Sequence, residues 1–138
     1  PIKFVPLAVN VIQHPLPTAA RCYKLGKAIR KAVEAYDEDF TVAIFGTGGM
    51  SHQLSGERFG HLNSEFDEWF LDQLEGDAEA LIKMTHQELM ERAGVEAVEL
   101  IMWLVMRGAM SEEVSRLHRN YYVPMTTGMG LITLEEAT

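Results

Sequence analysis

Hydrophobic and polar residues form two kinds of pattern in this chain, and the first kind predicts buried strands. Residues 2–12 are rich in Val, Ile and Phe and run into the turn-like segment 13–17, so we expect a strand followed by a loop. The polar turn 37–39 precedes a second continuous apolar run, residues 40–45, which is typical of a strand that is buried on both faces. Two buried strands are therefore expected in the first third of the chain.

The second pattern, apolar residues three and four positions apart, predicts helices. Thr18 can cap a helix that extends to about Tyr36, and its apolar stripe consists of Cys22, Leu25, Ile29 and Val33. The remaining elements are expected as helices over 65–74 (capped by Asn63 or Ser64), near 77–83, over 85–94, over 95–107 and after a cap at Ser111, then a loop and a terminal strand within 121–134. The strand–helix–strand–helix order favours an α/β layered fold.

Length and composition narrow the class of protein. The chain has 138 residues, which is about one ordinary domain, and its 47% hydrophobic and 23% charged residues are typical of a folded protein. Twelve Lys and Arg against twenty Asp and Glu give a formal net charge of −8, which argues against nucleic acid and anionic membrane surfaces as partners. With a single cysteine and no apolar run long enough to span a bilayer, a cytoplasmic protein is expected.

The segment 46–52, Gly-Thr-Gly-Gly-Met-Ser-His, is the most unusual part of the sequence because it follows the second predicted strand directly. Glycines at the end of a strand let the backbone turn sharply and approach a ligand, and open α/β sheets bind ligands at that edge. His52 could act there as a general acid or base near neutral pH. Dinucleotide and phosphate-loop motifs do not fit the spacing. A tight turn with a merely hydrogen-bonded histidine is an equally good interpretation of the spacing alone.

Glu99 is the second candidate for chemistry. On a helix it shares an apolar face with Val95, Met102, Trp103 and Met106. A lone ionised carboxylate buried there would cost several kcal/mol, so the group is expected to be neutral, paired, or bound to a cation. Pairing with an arginine or a backbone amide is slightly favoured by spacing alone, since metal sites are the rarer outcome.

Other chemistry-bearing residues give weaker signals. None of the five histidines has the local spacing of a strong metal site, and the role of His61 stays open. Cys22 falls in an apolar helix stripe and is interpreted as a packing residue. Thr126 and Thr127 offer two hydroxyls beside the flexible Gly128 and could hold a carboxylate, although an ordinary turn is the simpler interpretation.

Residues 43–54, Ala-Ile-Phe-Gly-Thr-Gly-Gly-Met-Ser-His-Gln-Leu, resemble the signature of the class III extradiol dioxygenases. The resemblance is nearest to members that act on protocatechuate and gallate, and it continues in order through 13–17, 21–23, 63–67, 94–108 and 121–130. It implies a layered α/β/α fold with a mixed central sheet. Residues 1–138 would then be a single unit, the C-terminal half of a larger catalytic domain.

The resemblance also implies an activity. Members of the family that the chain resembles use non-haem Fe(II) and O₂ for extradiol (meta) cleavage of a catechol. The substrate implied here is a carboxylated catechol such as protocatechuate or gallate. Their iron is held by two histidines and one glutamate, a facial triad with open positions. Residue by residue, Glu99 matches the glutamate ligand and His52 matches the acid/base histidine. Thr126 and Thr127 lie where the family places groups near the carboxylate of the substrate ring.

One departure from the family pattern determines which partners are expected. None of the histidines in this chain matches either of the two histidine ligands. The chain also opens at Pro1, directly before a predicted strand. We therefore expect the upstream half of the enzyme, or a second subunit, to complete the site within a homo- or hetero-oligomer. The alternative is a metal-free regulatory or binding relative of the same fold; a nucleotide-binding domain would rest only on the glycines.

Overall fold

The computed structural model describes residues 2–137, in which five α-helices precede a two-stranded sheet. The helices are α1 (Ala19–Glu34), α2 (Ser64–Glu75), α3 (Glu79–Ile82), α4 (His86–Ala93) and α5 (Ile101–Gly108), and a 3₁₀ helix, Glu96–Leu100, leads directly into α5. The strands are β1 (Val114–Tyr122) and β2 (Met129–Glu136). Most of the helices and the terminal strand thus lie where the sequence pattern predicts them.

Polar side chains begin three of the helices as expected. The hydroxyl of Thr18 accepts a hydrogen bond from the backbone N–H of Arg21 at the start of α1, and the side chain of Asn63 accepts one from Phe66 at the start of α2. Thr85 and Glu88 form a reciprocal capping box that begins α4. These contacts satisfy backbone donors that have no partner within the helix.

The core lies where α1 crosses α5, where α4 packs against the 3₁₀ helix, and where α2 packs against both strands. Gly26 of α1 and Gly108 of α5 permit a close crossing, because a Cβ at either position would overlap backbone atoms of the other helix. The Phe70 ring of α2 packs edge-on against the Trp103 ring of α5, and the two ring centroids lie 6.1 Å apart. Cys22 is 2% exposed within this core, which confirms its interpretation as a packing residue.

β1 and β2 pair antiparallel, from Val114 opposite Glu136 to Tyr122 opposite Met129. The helix predicted after Ser111 is therefore wrong, because this segment is strand β1. The hydroxyl of Ser111 donates to the carbonyl of Glu113 instead of capping a helix. The long-range pairing with β2 overrides the local signal, since it gives the backbone of this segment hydrogen-bond partners that a local cap does not predict.

The strands predicted at 2–12 and 40–45 are also wrong for the described chain, where both segments lack strand pairing. Most of their large apolar side chains are exposed, Phe4 to 84% and Phe45 also to 84%, whereas Val9 and Val11 pack against the edge of the core. A strand needs a neighbour for its N–H and C=O groups, and residues 2–137 provide none for these segments. An apolar run alone does not specify a strand.

The combination of helices and strands confirms the α/β class. Within residues 2–137 the strands form one two-stranded sheet, so the α/β/α layers and mixed central sheet remain a prediction for the larger domain. None of the described helices is long and apolar enough to cross a membrane.

Candidate functional site

The turn after Phe45 brings its glycines against Glu99. Gly48 has a φ of 131°, a conformation that side chains disfavour, and a Cβ there would approach the Glu99 Cγ to 3.0 Å. A Cβ on Gly49 would lie 3.2 Å from both the Glu99 Oε1 and the His52 Cε1. The indole N–H of Trp103 donates to the Gly48 carbonyl over 3.2 Å and holds the turn from behind. Two glycines thus allow the backbone to touch both candidate residues.

His52 is almost fully buried, at 6% exposure, and its backbone is fixed on two sides. Its N–H donates to the Ala93 carbonyl over 2.8 Å, and it forms an isolated antiparallel bridge with Thr127. Gly94, with a φ of 105°, ends α4 against the His52 carbonyl, where a Cβ would overlap it. A positive φ at this position favours glycine, since a Cβ would be strained there.

The tautomer of His52 follows from its contacts. The Nδ1 lies 2.7 Å from the Met50 carbonyl, which can only accept a hydrogen bond, so Nδ1 carries a hydrogen. The other ring nitrogen, Nε2, faces the Glu99 Oε1 at 3.6 Å. Nε2 therefore carries the free lone pair of the His52 ring, and it faces a carboxylate.

Glu99 lies in the 3₁₀ helix with its side chain 28% exposed, so it is less buried than the helix pattern predicts. Its Oε1 accepts a hydrogen bond of 2.6 Å from the Gly49 N–H. The pairing with a backbone amide that the sequence left open is thus present. The described contacts leave Oε2 without a hydrogen-bond donor, so one carboxylate oxygen remains available to a ligand.

Thr127 joins this group, whereas contacts between Thr126 and the other candidates are not seen in the described part of the chain. A Cβ on Gly49 would lie 3.0 Å from the Thr127 Cγ2, so the threonine borders the same turn as Glu99 and His52. Thr126 precedes it in a half-buried position, after Met125, which has a φ of 60°. The structure therefore brings three of the four candidate residues together.

The described residues do not form a complete metal site. No group of three or more His, Cys, Asp or Glu side chains within 2–137 is placed to hold a metal ion. Two of the remaining histidines contact backbone carbonyls instead, His61 that of Arg92 and His86 that of Pro17. Glu99, with one free oxygen, can supply a single carboxylate ligand, which fits one corner of a two-histidine, one-carboxylate set.

Sequence reasoning missed Asp67, which is completely buried one layer behind His52. The carboxylate accepts hydrogen bonds from the Ser51 backbone, the Ser51 hydroxyl and the Tyr121 hydroxyl. Its position among Phe70, Leu71 and Leu74 on one helix face was the available signal, because a carboxylate in an apolar stripe must find partners.

Burial has the largest effect on the pKa values of Asp67 and Tyr121. Desolvation raises the pKa of Asp67, and the hydrogen bonds from Ser51 and Tyr121 partly oppose that rise. Desolvation, together with the neighbouring Asp67 carboxylate, raises the pKa of Tyr121 to about 12, so its hydroxyl keeps its proton at neutral pH. The tyrosine therefore acts as a hydrogen-bond donor to Asp67.

Comparisons with known proteins identify the family of this chain. Residues 1–132 match the family described as the catalytic LigB subunit of aromatic ring-opening dioxygenase. The chain is also 51% identical over 135 residues to a gallate dioxygenase from Pseudomonas putida, a match that covers 98% of this chain. It spans 40% of the length of that relative. The chain belongs to the family of catalytic LigB subunits of aromatic ring-opening dioxygenases.

Proposed function

We propose that the complete enzyme containing this chain uses Fe(II) and O₂ for extradiol cleavage of a carboxylated catechol, with gallate or protocatechuate as substrate. The observation that carries the proposal is the contact between His52 and Glu99, whose Nε2 and Oε1 lie 3.6 Å apart at a glycine turn. The 51% identity to a gallate dioxygenase supports gallate as the first substrate to test.

Glu99 is the proposed iron ligand of this chain. Its Oε1 is fixed by the Gly49 N–H while its Oε2 is free, so the carboxylate is oriented before any ion arrives. Iron bound there would supply the redox chemistry with O₂ and draw charge from the two catechol oxygens. The backbone of Gly48 and Gly49 packs directly against the Glu99 carboxylate, where a Cβ at either position would crowd it.

His52 is the proposed acid and base. Its Nδ1 hydrogen is engaged by the Met50 carbonyl, so a proton taken from a catechol hydroxyl is held at Nε2. The Glu99 carboxylate beside it stabilises the positive ring that results. The same proton can later be returned to an oxygen of the product, because the buried ring has few other contacts.

Thr126 and Thr127 are the proposed contacts for the carboxylate of the substrate. Thr127 borders the glycine turn and its backbone pairs with His52, so its position is fixed relative to the acid and base. A hydroxyl donor suits a carboxylate oxygen. The loop that carries both threonines is held by the hydrogen bond between the Gly128 N–H and the Ser51 carbonyl, 2.9 Å long.

The two histidine ligands are proposed to come from the rest of the enzyme, on the same polypeptide or on a second subunit of an oligomer. The unpaired apolar segments 2–12 and 40–45 are the proposed contact surface for that part. Segment 40–45 leads straight into the glycine turn, so a partner that covers it comes close to Glu99.

The alternative is a metal-free binding protein, and one observation favours it. The Gly49 N–H already gives the Glu99 carboxylate one partner, and a protonated His52 ring would give it a second without a cation. In that case His52 and Glu99 form an ion pair that only stabilises the turn. The two candidates differ in what happens when Glu99 loses its charge.

Oxygen uptake and metal content of the complete enzyme, loaded with Fe(II) and kept anaerobic until mixing, test the proposal. With gallate and protocatechuate compared, we expect rapid uptake with one of them. Glu99→Gln should lose bound iron, whereas His52→Phe should keep iron and lose about 10²–10⁴-fold in kcat. Exposed counterparts, Glu57→Gln and His118→Phe, serve as matched controls that keep both iron and turnover. Unchanged iron and turnover in Glu99→Gln would contradict Glu99 as the iron ligand, whereas a wild-type protein that binds no iron and takes up no oxygen would favour the metal-free alternative.

A further inference from the structure

We infer that Asp67 is a positioning residue that holds His52 and Thr127 in a fixed mutual arrangement through Ser51, Tyr121 and Gly128. This inference rests on the proposed function, because it concerns how well His52 and Thr127 are aligned for the reaction. Asp67 itself lies behind the turn and does not touch either residue by hydrogen bond.

The contacts of Asp67 are those of an ionised carboxylate. Its Oδ1 accepts from the Ser51 N–H over 2.8 Å, and its Oδ2 accepts from the Ser51 hydroxyl over 2.6 Å and from the Tyr121 hydroxyl over 2.7 Å. All three neighbours donate, and a carboxylate offers acceptors alone. Among the described residues no Lys or Arg forms an ion pair with Asp67, so hydrogen bonds alone hold the group.

Ser51 passes this restraint to both loops of the site. Its hydroxyl also accepts from the Asn63 N–H over 2.8 Å, so the start of α2 is joined to the turn. Its carbonyl accepts from the Gly128 N–H over 2.9 Å, and the Gly128 carbonyl accepts from the Met50 N–H over the same distance. His52 and Thr127 are the next residues along these two paired segments.

Gly128 shows how closely the second loop approaches Asp67. A Cβ at Gly128 would overlap the Asp67 Oδ2 and lie 3.0 Å from the Tyr121 hydroxyl oxygen. Tyr121 is at the end of β1, so its bond to Asp67 fixes the strand from which the 123–128 loop departs. One carboxylate thus restrains the turn before His52 and both ends of the loop that carries Thr127.

Energetic considerations favour a role for Asp67 in positioning other residues over a role in stabilising the fold. Burying a carboxylate without a cation does not by itself make a fold more stable, and an apolar residue would fill the same volume in this core. The side chain of His52 has one hydrogen bond, to Met50, and so its direction depends on where the backbone of 50–52 is held. Displacement of a reacting group by about 1 Å can reduce a rate about 10²-fold.

The test is the kcat per metal-loaded site in the complete enzyme, with gallate and protocatechuate as the probe substrates. Asp67→Asn keeps the volume but places an amide N–H₂ where Ser51 and Tyr121 donate. We expect bound metal and substrate KM near wild type and a kcat lower by about 10–100-fold. Glu65→Gln, an exposed carboxylate on the same helix, is the matched control and should keep full kcat.

A purely structural role gives a different result, because the folded, metal-loaded fraction would then turn over at the wild-type rate. That outcome overturns the inference. If Asp67→Asn does not fold or binds no metal, Ser51→Ala and Tyr121→Phe decide, since each removes one bond and keeps the carboxylate. Both should lose kcat per metal-loaded site, on the order of threefold to tenfold; full kcat in both overturns the inference. A wild-type enzyme inactive on both substrates would instead contradict the proposed function.

Discussion

Two regions of this chain have similar hydrophobic residues and opposite surroundings. In residues 46–137 the large apolar side chains of the helices are buried, as Phe70 is at 2% exposure. In segments 2–12 and 40–45 comparable side chains face outwards, as Phe45 does at 84%. Apolar content therefore predicts that a segment will be covered but does not identify the element that covers it, because burial requires a second element packed against the first.

The candidate site lies on the boundary between these regions. The glycine turn begins where the exposed segment 40–45 ends, and His52 and Glu99 lie just inside the packed part. An incomplete ligand set at such a boundary fits the proposal that another part of the enzyme closes it. Substitutions on the two sides of the boundary can test this comparison.

The largest effect is expected for truncation of a core ring. Phe70→Ala should lower the free energy of unfolding of the complete enzyme's catalytic unit by about 3–5 kcal/mol, because it removes apolar contacts and leaves a cavity. Denaturant unfolding measures this loss. Phe59→Ala, at an exposed loop position, is the control and should stay within about 0.5 kcal/mol of wild type.

Denaturant unfolding of Phe45→Ala tests whether segment 40–45 is also exposed in the complete enzyme. If another part covers segment 40–45, Phe45 behaves as a core residue, and we expect a loss of about 2–4 kcal/mol. A loss as small as that of Phe59→Ala would mean that segment 40–45 stays exposed, which contradicts the proposed contact surface.

A smaller loss is expected at Arg107, the charged residue at the centre of the packed region. Its buried guanidinium donates over 2.8 Å to each of three carbonyls, those of Leu74, Ser111 and Glu112, and it joins α2 to the start of β1. Arg107→Lys should lower the free energy of unfolding by about 2 kcal/mol, because an ammonium group cannot reach all three. Arg116→Lys, exposed beside Glu75, is the matched control, expected to change stability by less than about 0.5 kcal/mol.

The smallest effect concerns alkaline pH. The pKa of Tyr121, about 12 in the folded protein, is above the usual value of 10, so the unfolded chain loses this proton first as pH rises. Its contribution to stability is complete below pH 10 and is lost as the pH approaches 12. The stability of wild type should therefore fall more steeply between about pH 10 and 12 than that of Tyr121→Phe.

Tyr122→Phe is the control for this measurement, because Tyr122 is 57% exposed on the neighbouring position of β1. It should keep the wild-type pH dependence. Equal slopes for Tyr121→Phe and wild type would show that burial beside Asp67 does not raise the pKa of the Tyr121 hydroxyl.

Local signals in the sequence were sufficient for most helices. Caps at Thr18, Asn63 and Thr85 are interactions within a few residues, so the sequence contains all the information needed to place them. The strand after Ser111 could not be found this way, because its partner lies beyond a loop and a serine followed by two glutamates is also a good helix start.

The candidate site shows the same division between local and long-range signals. His52 and Glu99 were found from unusual chemistry in their own segments, and the structure places their side chains in contact. Asp67 was not found, because its function depends on Ser51 and Tyr121, which are distant along the chain. Spacing predicts which groups are present at a site; only the tertiary contacts reveal which groups hold them.

The hydrogen bonds that join Met50 and Ser51 to Gly128 also determine when this site can exist. A polypeptide is made from its N-terminal end, and domains generally fold as units. His52 and Glu99 leave the ribosome well before Gly128 does, yet the turn that carries the histidine is held by that glycine. The nascent chain therefore contains the candidate residues long before it contains an assembled site, and a translation product that stops short of residue 128 would carry them without alignment.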